Sequence, residues 1–381
     1  MALRLRGYRR MPSAPTVVVG AGPAGLAAAA MLRRAGVGTI VLERDRLGAS
    51  WRRHYRALRL HTVRSLSSLP GADIPSSCGR WVAGTDFLGY LERYAERERL
   101  NIRSGTEARR VDADGDGFVI TTATEPIAAA AVVIATGYNA EPVLPAWARA
   151  NGSTLPIVHS NGYRDAAPYR DESVLVVGAG NSGSDIALDL AGGGARQVWL
   201  SVRTAPGVVP RQALGLPAQV AAIPLSRAPR PLADGIAKLE RRLFIGDLAA
   251  RGLPASGDGV FTRHARRSVL PILDHGFAGA VKAGGIAVVP SVETVEGEDV
   301  VLEGGRRLRP DAVVAATGYR PALVPLVGHL GVLGPAGLPP YHGGAVHPAL
   351  PKLHFTGFRN PITGALRELR FESAAIASAI V

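Results

Sequence analysis

The 381-residue sequence predicts an α/β fold in which two similar modules alternate buried parallel strands with helices. Two glycine-rich segments of the same pattern carry most of this prediction, since each stands between an apolar run and an alanine- or leucine-rich stretch. We call Gly20–Gly25 the first glycine loop and Gly178–Gly183 the second glycine loop. A second pair of related segments, Ala135–Tyr138 and Ala316–Tyr319, closes a later apolar run in each module. This weak internal repeat indicates two modules of one design.

The first module opens with a strand over Thr16–Val19, a helix over Ala24–Arg34 and a strand over Thr39–Leu42. We expect an amphipathic helix over Asp86–Leu100, because apolar residues recur on one of its faces. Further strands of this module are predicted at 108–112, 117–122 and 130–135.

The second module repeats this order, with a helix over Asn181–Leu190 between two strands at 173–177 and 197–200. The stretch 205–277, rich in Pro, Arg and Leu, predicts helices and loops that cover one side. Later strands are predicted at 286–290, 292–295, 300–302, 312–316 and 353–356, followed by a final helix over Glu372–Val381. We therefore predict a first domain over 1–168 that resumes at 310–381, with a second domain over 169–309 inserted into it.

Composition excludes several classes of protein. The single cysteine, Cys78, rules out an internal disulfide, a dithiol mechanism and a multi-cysteine metal site. The net charge of +13 comes almost entirely from arginines that are scattered rather than arranged in a stripe, so we expect no nucleic acid partner. A diffuse positive field instead favours anionic cofactors. His264, His275 and His342 lack ligand-like spacing, so no metal is expected. No apolar run is long enough to span a membrane, and we expect a cytoplasmic protein without a membrane partner.

The first glycine loop fits a dinucleotide site. Gly20 permits a tight turn, Gly22 lets a pyrophosphate approach the backbone, and Gly25 lets the helix pack on the strand. Pro23 and Ala24 open the helix, whose positive N-terminus favours phosphate. Glu43 ends the next strand, where an acid binds ribose hydroxyls. The alternative is a glycine-rich turn beside a solvated Glu43.

The second glycine loop has the same spacing but a different partner strand. Its predicted cofactor contacts are Gly178, Gly180, Asn181, Ser182 and Gly183. Arg203 and Thr204 follow the next strand, and no acid takes the place of Glu43. A guanidinium suits a 2′-phosphate, whereas a carboxylate would repel it. The first site therefore predicts FAD and the second NADPH; the alternative is an exposed, solvated Arg203.

With these loops in place, the chain resembles the class B flavin-dependent monooxygenases, which include the flavin-containing and Baeyer–Villiger monooxygenases, and in particular small bacterial members. The resemblance covers nearly the whole chain and is carried by Gly48–Trp51 with Tyr55 and Leu58–Leu60, by Leu66–Gly71, by Ala135–Pro142 and by Phe358–Gly364. It implies further cofactor contacts at Arg44, Trp51, His61, Thr62, Thr136, Gly137, Thr317 and Gly318.

Three positions in two motifs depart from the family pattern. The identifying sequence F-x-G-x-x-x-H is matched by His159, with Tyr163 four residues on, but Ser153 and Leu155 stand where Phe and Gly are expected. The N-oxygenating members place an asparagine where this chain has Val63. His159 is the candidate catalytic residue; a role in positioning cofactor or domains, or in the linker structure alone, is the alternative.

The resemblance implies an enzyme in which NADPH reduces the flavin, O2 adds at C4a, and the resulting (hydro)peroxyflavin transfers one oxygen atom to a small organic substrate by N- or S-oxygenation. Three alternatives remain: a reductase or oxidase that forms hydrogen peroxide, a Baeyer–Villiger enzyme acting on ketones, and a redox-sensing protein without catalysis. Tyr163 stands where Baeyer–Villiger enzymes more often have Trp. The resemblance places the substrate pocket partly in 205–277, and a homodimer contact there is a further alternative.

Overall fold

The first module is built on a five-stranded parallel sheet. The computed structural model describes residues 14–149, 154–253 and 256–381. In spatial order the strands of this sheet are Leu353–Phe355, Ala131–Ile134, Thr16–Val19, Thr39–Leu42 and Ile102–Arg103. Every neighbouring pair is parallel. The central strand Thr16–Val19 is buried along its whole length, as strands covered on both faces must be.

The second module repeats this sheet strand for strand. Given in the order that matches the first sheet, its strands are Ile157–His159, Ala312–Ala315, Ser173–Val177, Gln197–Ser201 and Ala287–Val289. These pairs are parallel too. The predicted α/β class with two Rossmann-like domains is confirmed.

Sheet membership differs from the predicted domain boundaries at both ends of the second module. Strand Ile157–His159 lies at the edge of the second sheet, although the sequence assigned it to the first domain. Strand Ala312–Ala315 pairs with Ser173–Val177 inside the same sheet, although the first domain was predicted to resume at 310. The reason is that an apolar run fits either sheet, and strand neighbours are set by contacts far apart in the sequence. We infer that the second module extends from about 154 to about 320, and that the first resumes after it.

Each module carries a three-stranded antiparallel meander just before a central strand of its parallel sheet, Ala131–Ile134 in the first module and Ala312–Ala315 in the second. The meander strands are Arg110–Asp114, Gly117–Thr121 and Ile127–Ala129 in the first module, and Val292–Glu296, Asp299–Leu302 and Arg307–Leu308 in the second. The stretch predicted as helices and loops also contains short strands; its pairs are Val208–Pro210 with Ile272–Asp274, and Gln212–Ala213 with Leu216–Pro217.

The helices cover the faces of the two sheets. Their bounds are Pro23–Arg34, Ala49–Arg52, Gly84–Arg97, Asn181–Gly192, Ala218–Leu225, Arg230–Glu240, Val260–Arg267, Phe277–Ala283, Val324–Val327 and Ala365–Ile380. The final helix begins at Ala365, seven residues before the predicted start at Glu372. Its first turn carries Arg367 and Glu368, which dilute the apolar periodicity there.

The helix after the first glycine loop packs against the C-terminal helix over a surface of small residues. Ala24, Ala27 and Ala28 are almost fully buried, which brings the two helix backbones close together.

Tyr90, on the helix Gly84–Arg97, binds the backbone of a neighbouring loop. Its buried hydroxyl accepts a hydrogen bond from the Leu69 backbone N–H at 2.6 Å and donates one to the Ala72 carbonyl at 2.8 Å. This pairing satisfies the backbone of the loop that follows residue 66.

The two modules share one interface. Tyr55 and Leu58, from the first module, are buried in the apolar core of the second. The two connections between the modules run side by side, because Glu141–Pro142 pairs antiparallel with Tyr319–Arg320. The glycine loops therefore belong to separate sheets that are fixed against each other by packed side chains.

Candidate cofactor-binding sites

The first glycine loop has a separate steric reason for each glycine. Gly20 has φ +107°, and a Cβ there would lie 2.6 Å from the Ala135 carbonyl oxygen. A Cβ on Gly25 would lie 1.8 Å from the Gly20 carbonyl oxygen, so the helix and loop can be this close only without a side chain. A Cβ on Gly22 would meet nothing within 4 Å. The space beside Gly22 is thus open, at the N-terminus of the helix Pro23–Arg34.

Glu43 lies directly beside this loop. Its Oε2 accepts a hydrogen bond from the Ala21 backbone N–H at 2.9 Å, and its Oε1 accepts one from the Asp45 N–H at 3.1 Å. These bonds hold the carboxylate at the rim of the open space, and Glu43 lines the cavity there. A carboxylate in this position can accept hydrogen bonds from ribose hydroxyls.

A cavity of about 690 Å³ extends from the first glycine loop towards the module interface. It brings together nine of the residues predicted for the first cofactor: Gly20, Gly22, Pro23, Ala24, Glu43, Arg44, Trp51, Thr136 and Gly137. Gly25, His61 and Thr62 do not line it. The sequence prediction missed Asn161, Arg359 and Asn360, which line the same cavity although they lie far away along the chain.

The residues that line the cavity fit a bound dinucleotide. The helix N-terminus at Gly22 has no side-chain cap, so its first N–H groups can bind a phosphate. The Thr136 hydroxyl is buried and has no hydrogen-bond partner in the described part of the chain, which indicates a polar group supplied by a ligand. The volume of the cavity is within the range of small-molecule and cofactor sites, about 300–1,000 Å³.

The second glycine loop reproduces the steric pattern of the first. Gly178 has φ +113°, and a Cβ there would lie 2.4 Å from the Ala316 carbonyl oxygen. A Cβ on Gly183 would lie 1.8 Å from the Gly178 carbonyl oxygen, whereas a Cβ on Gly180 would meet nothing within 4 Å. The second site therefore offers the same open helix N-terminus, at Asn181–Gly192.

The strand beside the second loop ends differently. In the first module the Gly20 N–H donates to the carbonyl of Leu42, the residue before Glu43. In the second module the Gly178 N–H donates to the carbonyl of Ser201, the residue before Val202. Val202 thus takes the place of Glu43, and Arg203 follows it. Arg203 and Thr204 are exposed, and their side chains make no hydrogen bond or ion pair with residues 14–149, 154–253 or 256–381. The guanidinium is free to bind an anionic group.

Asn181 and Ser182 have contacts within the protein. The Asn181 side-chain amide donates to the Pro271 carbonyl at 3.2 Å and accepts from the Leu273 N–H at 3.0 Å. Its side chain therefore holds the 271–273 segment. Ser182 lies close to the phenol of Tyr55.

His159 lies where the two inter-module connections meet. Its Nε2 is 3.0 Å from the Gly318 carbonyl oxygen, and its Nδ1 accepts a hydrogen bond from the Asn161 N–H at 3.1 Å. Burial lowers the pKa of His159 below its usual value. Thr317 donates its hydroxyl to the Val143 carbonyl on the other connection. Both ring nitrogens of His159 are thus bonded to backbone groups, and Thr317 and Gly318 join the connections rather than lining the cavity.

Sequence reasoning missed a cluster at the module interface. Asp185, on the helix after the second glycine loop, accepts hydrogen bonds from Tyr55 at 2.8 Å, His61 at 3.1 Å and His275 at 3.0 Å. Asp185 is only 8% exposed. A signal was present, since an acid stands among the buried residues of this helix, which are otherwise small or apolar.

Two departures from the family pattern have a structural context. The Val63 N–H donates to the Gln219 Oε1 at 2.9 Å, and the Gln219 amide donates to the Thr363 carbonyl at 2.7 Å. Thr62 lies against the start of the C-terminal helix, where a Cβ on Gly364 would approach its Cγ2 to 2.9 Å. Leu155 is buried, and Ser153 lies outside the described residues.

Comparison with known proteins agrees with this geometry. Residues 17–208 match the family described as pyridine nucleotide-disulphide oxidoreductase. Indole-3-pyruvate monooxygenase YUCCA4 of Oryza sativa subsp. japonica is 34% identical over 325 residues, which cover 80% of this chain and 74% of that protein.

Solved structures show the same fold. The flavin-containing monooxygenase from Stenotrophomonas maltophilia matches with a TM-score of 0.72 and 23% identity, over 97% of this chain and 100% of that one. An oxidized steroid monooxygenase bound to NADP matches with a TM-score of 0.73 and 21% identity, over 97% of this chain and 85% of that one.

Membrane-spanning helices and metal clusters are absent from the described ranges. In the described ranges no helix has both the length and the apolar character needed to cross a bilayer. Among the same residues no group of three or more His, Cys, Asp or Glu side chains is placed to hold a metal ion.

The two glycine loops, the cavity and the matched relatives together show that this chain is an FAD- and NADPH-dependent enzyme that belongs to the flavin-dependent monooxygenase family.

Proposed function

We propose that this monooxygenase oxygenates a small organic substrate at a carbonyl group, with a 2-oxo acid as the best candidate. The observation that carries the proposal is the 34% identity, over 80% of the chain, to a protein named as an indole-3-pyruvate monooxygenase. A 2-oxo acid, O2, NADPH and a proton would give the acid shortened by one carbon, CO2, NADP+ and water. The basic chain, with a net charge of +13, also favours an anionic substrate over a cationic amine.

The position of Val63 supports a carbonyl substrate over N-oxygenation. The N-oxygenating members of the family have an asparagine there, and in this chain the side chain is apolar while its backbone N–H is bonded to Gln219. A Baeyer–Villiger reaction on a ketone is the second candidate, because it is also an oxygen transfer to a carbonyl carbon. The cyclohexanone monooxygenase structure matches with a TM-score of 0.71, which supports the shared fold.

Separate residues are assigned to binding FAD, to binding NADPH and to holding the two modules in position. We assign Gly22 and the first turn of its helix to the FAD pyrophosphate, Glu43 to the FAD ribose, and Arg203 with Thr204 to the 2′-phosphate of NADPH. Bound FAD supplies the acceptance of hydride and the activation of O2, which side chains cannot provide. We assign His159 to holding the inter-module connections, since both of its ring nitrogens bond backbone groups.

The test measures oxygenated product and hydrogen peroxide per NADPH consumed by the FAD-loaded protein. Phenylpyruvate, phenylacetone, methyl phenyl sulfide and N,N-dimethylbenzylamine represent the four substrate classes. We expect close to one phenylacetate per NADPH and little peroxide. Ester from phenylacetone alone would favour the Baeyer–Villiger candidate, and sulfoxide or N-oxide alone would overturn the carbonyl proposal.

The alternative function without oxygenation of a substrate is an oxidase that forms hydrogen peroxide. The observation that favours it is Leu155, which stands where the family's identifying sequence has glycine. Peroxide equal to NADPH with all four compounds would establish this rival. A disulfide reductase needs a reactive thiol near the flavin, whereas the chain's only cysteine, Cys78, does not line the cavity.

We also propose that the enzyme works in the cytoplasm as a homodimer. The proposed contact is the exposed apolar stripe on the helix Arg230–Glu240 and its continuation, formed by Leu232, Leu239 and Leu243. Exposed apolar stripes of this kind are typical of interaction sites. Analytical ultracentrifugation of the Leu239→Glu variant tests it: a dimer that becomes a monomer supports the contact, and a monomeric wild type refutes it.

A further inference from the structure

The carboxylate of Asp185 joins three separate segments of the chain. Tyr55 and His61 belong to the first module, and His275 follows a short strand of the second. Asp185 itself stands one turn into the helix that begins at the second glycine loop. A single buried side chain therefore connects the NADPH-binding helix with the segment that borders the flavin cavity.

The cluster is chemically consistent with a fixed anion. Burial alone would raise the pKa of the Asp185 carboxyl, but the hydrogen bonds from His275, His61 and Tyr55 outweigh it and hold the pKa well below its usual value. Burial and the Asp185 charge hold the pKa of Tyr55 well above its usual value, so the phenol stays a donor. Each imidazole presents Nε2 to the carboxylate, and the Nδ1 of His61 is buried without a partner in the described part of the chain.

The contacts continue from Asp185 to the cavity wall. Tyr55 is packed edge-on against His54, with 6.2 Å between ring centroids, and His54 against Trp51 at 5.6 Å. Trp51 and His54 both line the cavity. A shift of the helix that carries Asp185 would thus reach the flavin cavity through three packed rings.

A purely structural reason does not account for an anion here. Replacing a buried ion pair by well-packed apolar residues is often neutral or stabilising, so a charge is not needed to hold two modules together. Three directional hydrogen bonds, in contrast, fix distance and angle as apolar contacts do not. Hydride transfer needs such precision, since a misplacement of about 1 Å can slow a reaction about 100-fold.

We propose that Asp185 is a positioning residue for the reductive half-reaction: by holding Tyr55, His61 and His275, it sets the placement of the NADPH helix against the flavin cavity. The inference rests on the assignment of the two glycine loops to NADPH and FAD. It is independent of which substrate is oxygenated, because only reduction of the flavin is concerned.

The test compares Asp185→Asn with Asp189→Asn. Asp189 lies one turn further along the same helix and accepts a hydrogen bond from Tyr163 at 2.6 Å, within the second module. Under anaerobic conditions we expect Asp185→Asn to lower the limiting rate of flavin reduction by NADPH about ten- to 100-fold, with an unchanged half-saturating NADPH concentration. Reduction by dithionite and FAD content should match the wild type, and Asp189→Asn should keep the wild-type rate.

A second readout uses the protein without cofactors. Hydrogen–deuterium exchange of the 55–63 segment should be faster in apo Asp185→Asn than in the wild type and in Asp189→Asn. A wild-type limiting rate of reduction in Asp185→Asn would overturn the proposal, as would an equal loss of rate in Asp189→Asn. If Asp185→Asn does not fold, Tyr55→Phe and His275→Gln each remove one donor, and each must slow reduction about threefold or more for the proposal to stand.

Discussion

Arg203 is expected to set the preference of the second site for NADPH over NADH. The side chain is exposed and has no partner in the described ranges, so Arg203→Ala breaks no contact of the free enzyme. The whole effect should therefore appear on cofactor binding. A charge-assisted hydrogen bond contributes about 1.5–3 kcal/mol, which corresponds to about ten- to 150-fold in affinity.

Exposure to solvent favours the lower part of this range, because water and salt screen the interaction. We expect kcat/KM for NADPH to fall about ten- to thirtyfold, and that for NADH to change less than about twofold. The preference of the wild type for NADPH over NADH should also decrease as the salt concentration rises, whereas the preference of the variant should not change.

The assay is steady-state NADPH and NADH oxidation by the FAD-loaded protein, with Arg306→Ala as the control. Arg306 is an exposed arginine in a turn of the second module, between the strands Asp299–Leu302 and Arg307–Leu308. A control that loses preference as strongly as Arg203→Ala would show a general effect of net charge. An NADPH-to-NADH ratio in Arg203→Ala equal to that of the wild type would falsify the assignment.

Three further expectations follow from single contacts. Gly25→Ala should unfold or strongly destabilise the protein, since its Cβ would meet backbone, whereas Gly22→Ala should keep the apo Tm and weaken FAD binding in a fluorescence titration. Tyr90→Phe should lower the free energy of unfolding by about 1–3 kcal/mol because the Leu69 N–H loses its buried acceptor; denaturant titration measures it, and an unchanged midpoint would contradict it. Burial, with a smaller contribution from a nearby arginine, lowers the pKa of His342 to about 4. As the pH falls, His342 therefore binds a proton in the unfolded chain before it does so in the folded chain. The free energy of unfolding is unaffected by this group above about pH 6.5 and decreases as the pH falls towards 4. In His342→Gln this part of the decrease of Tm in acid should disappear.

Local sterics made the glycine loops predictable from sequence. The reason for Gly20 and Gly25 is a contact with backbone only a few residues away or in the adjoining strand, and the same spacing in the second loop produces the same geometry. The strands were equally predictable, because runs such as Thr16–Val19 are buried on both faces.

Long-range contacts were not predictable. Tyr55 and His61 reach Asp185 across 130 and 124 residues of sequence, and no local pattern specifies that they meet. The sheet to which Ala312–Ala315 belongs was not predictable for the same reason. Nothing in this apolar run distinguishes one parallel sheet from the other. Arg359 lines the cavity beside the first glycine loop although it lies near the far end of the chain, where only the family resemblance had drawn attention to its segment.

The paired connections Glu141–Pro142 and Tyr319–Arg320 have a consequence for engineering. Because the chain leaves the first module and returns to it at one place, the 143–318 segment is a cassette whose two ends are already adjacent. Exchanging it between relatives would transplant nicotinamide specificity in one step, provided that the graft carries its own carboxylate for Tyr55 and His61. We therefore expect such an exchange to change the electron donor while the residues around the first glycine loop stay in place.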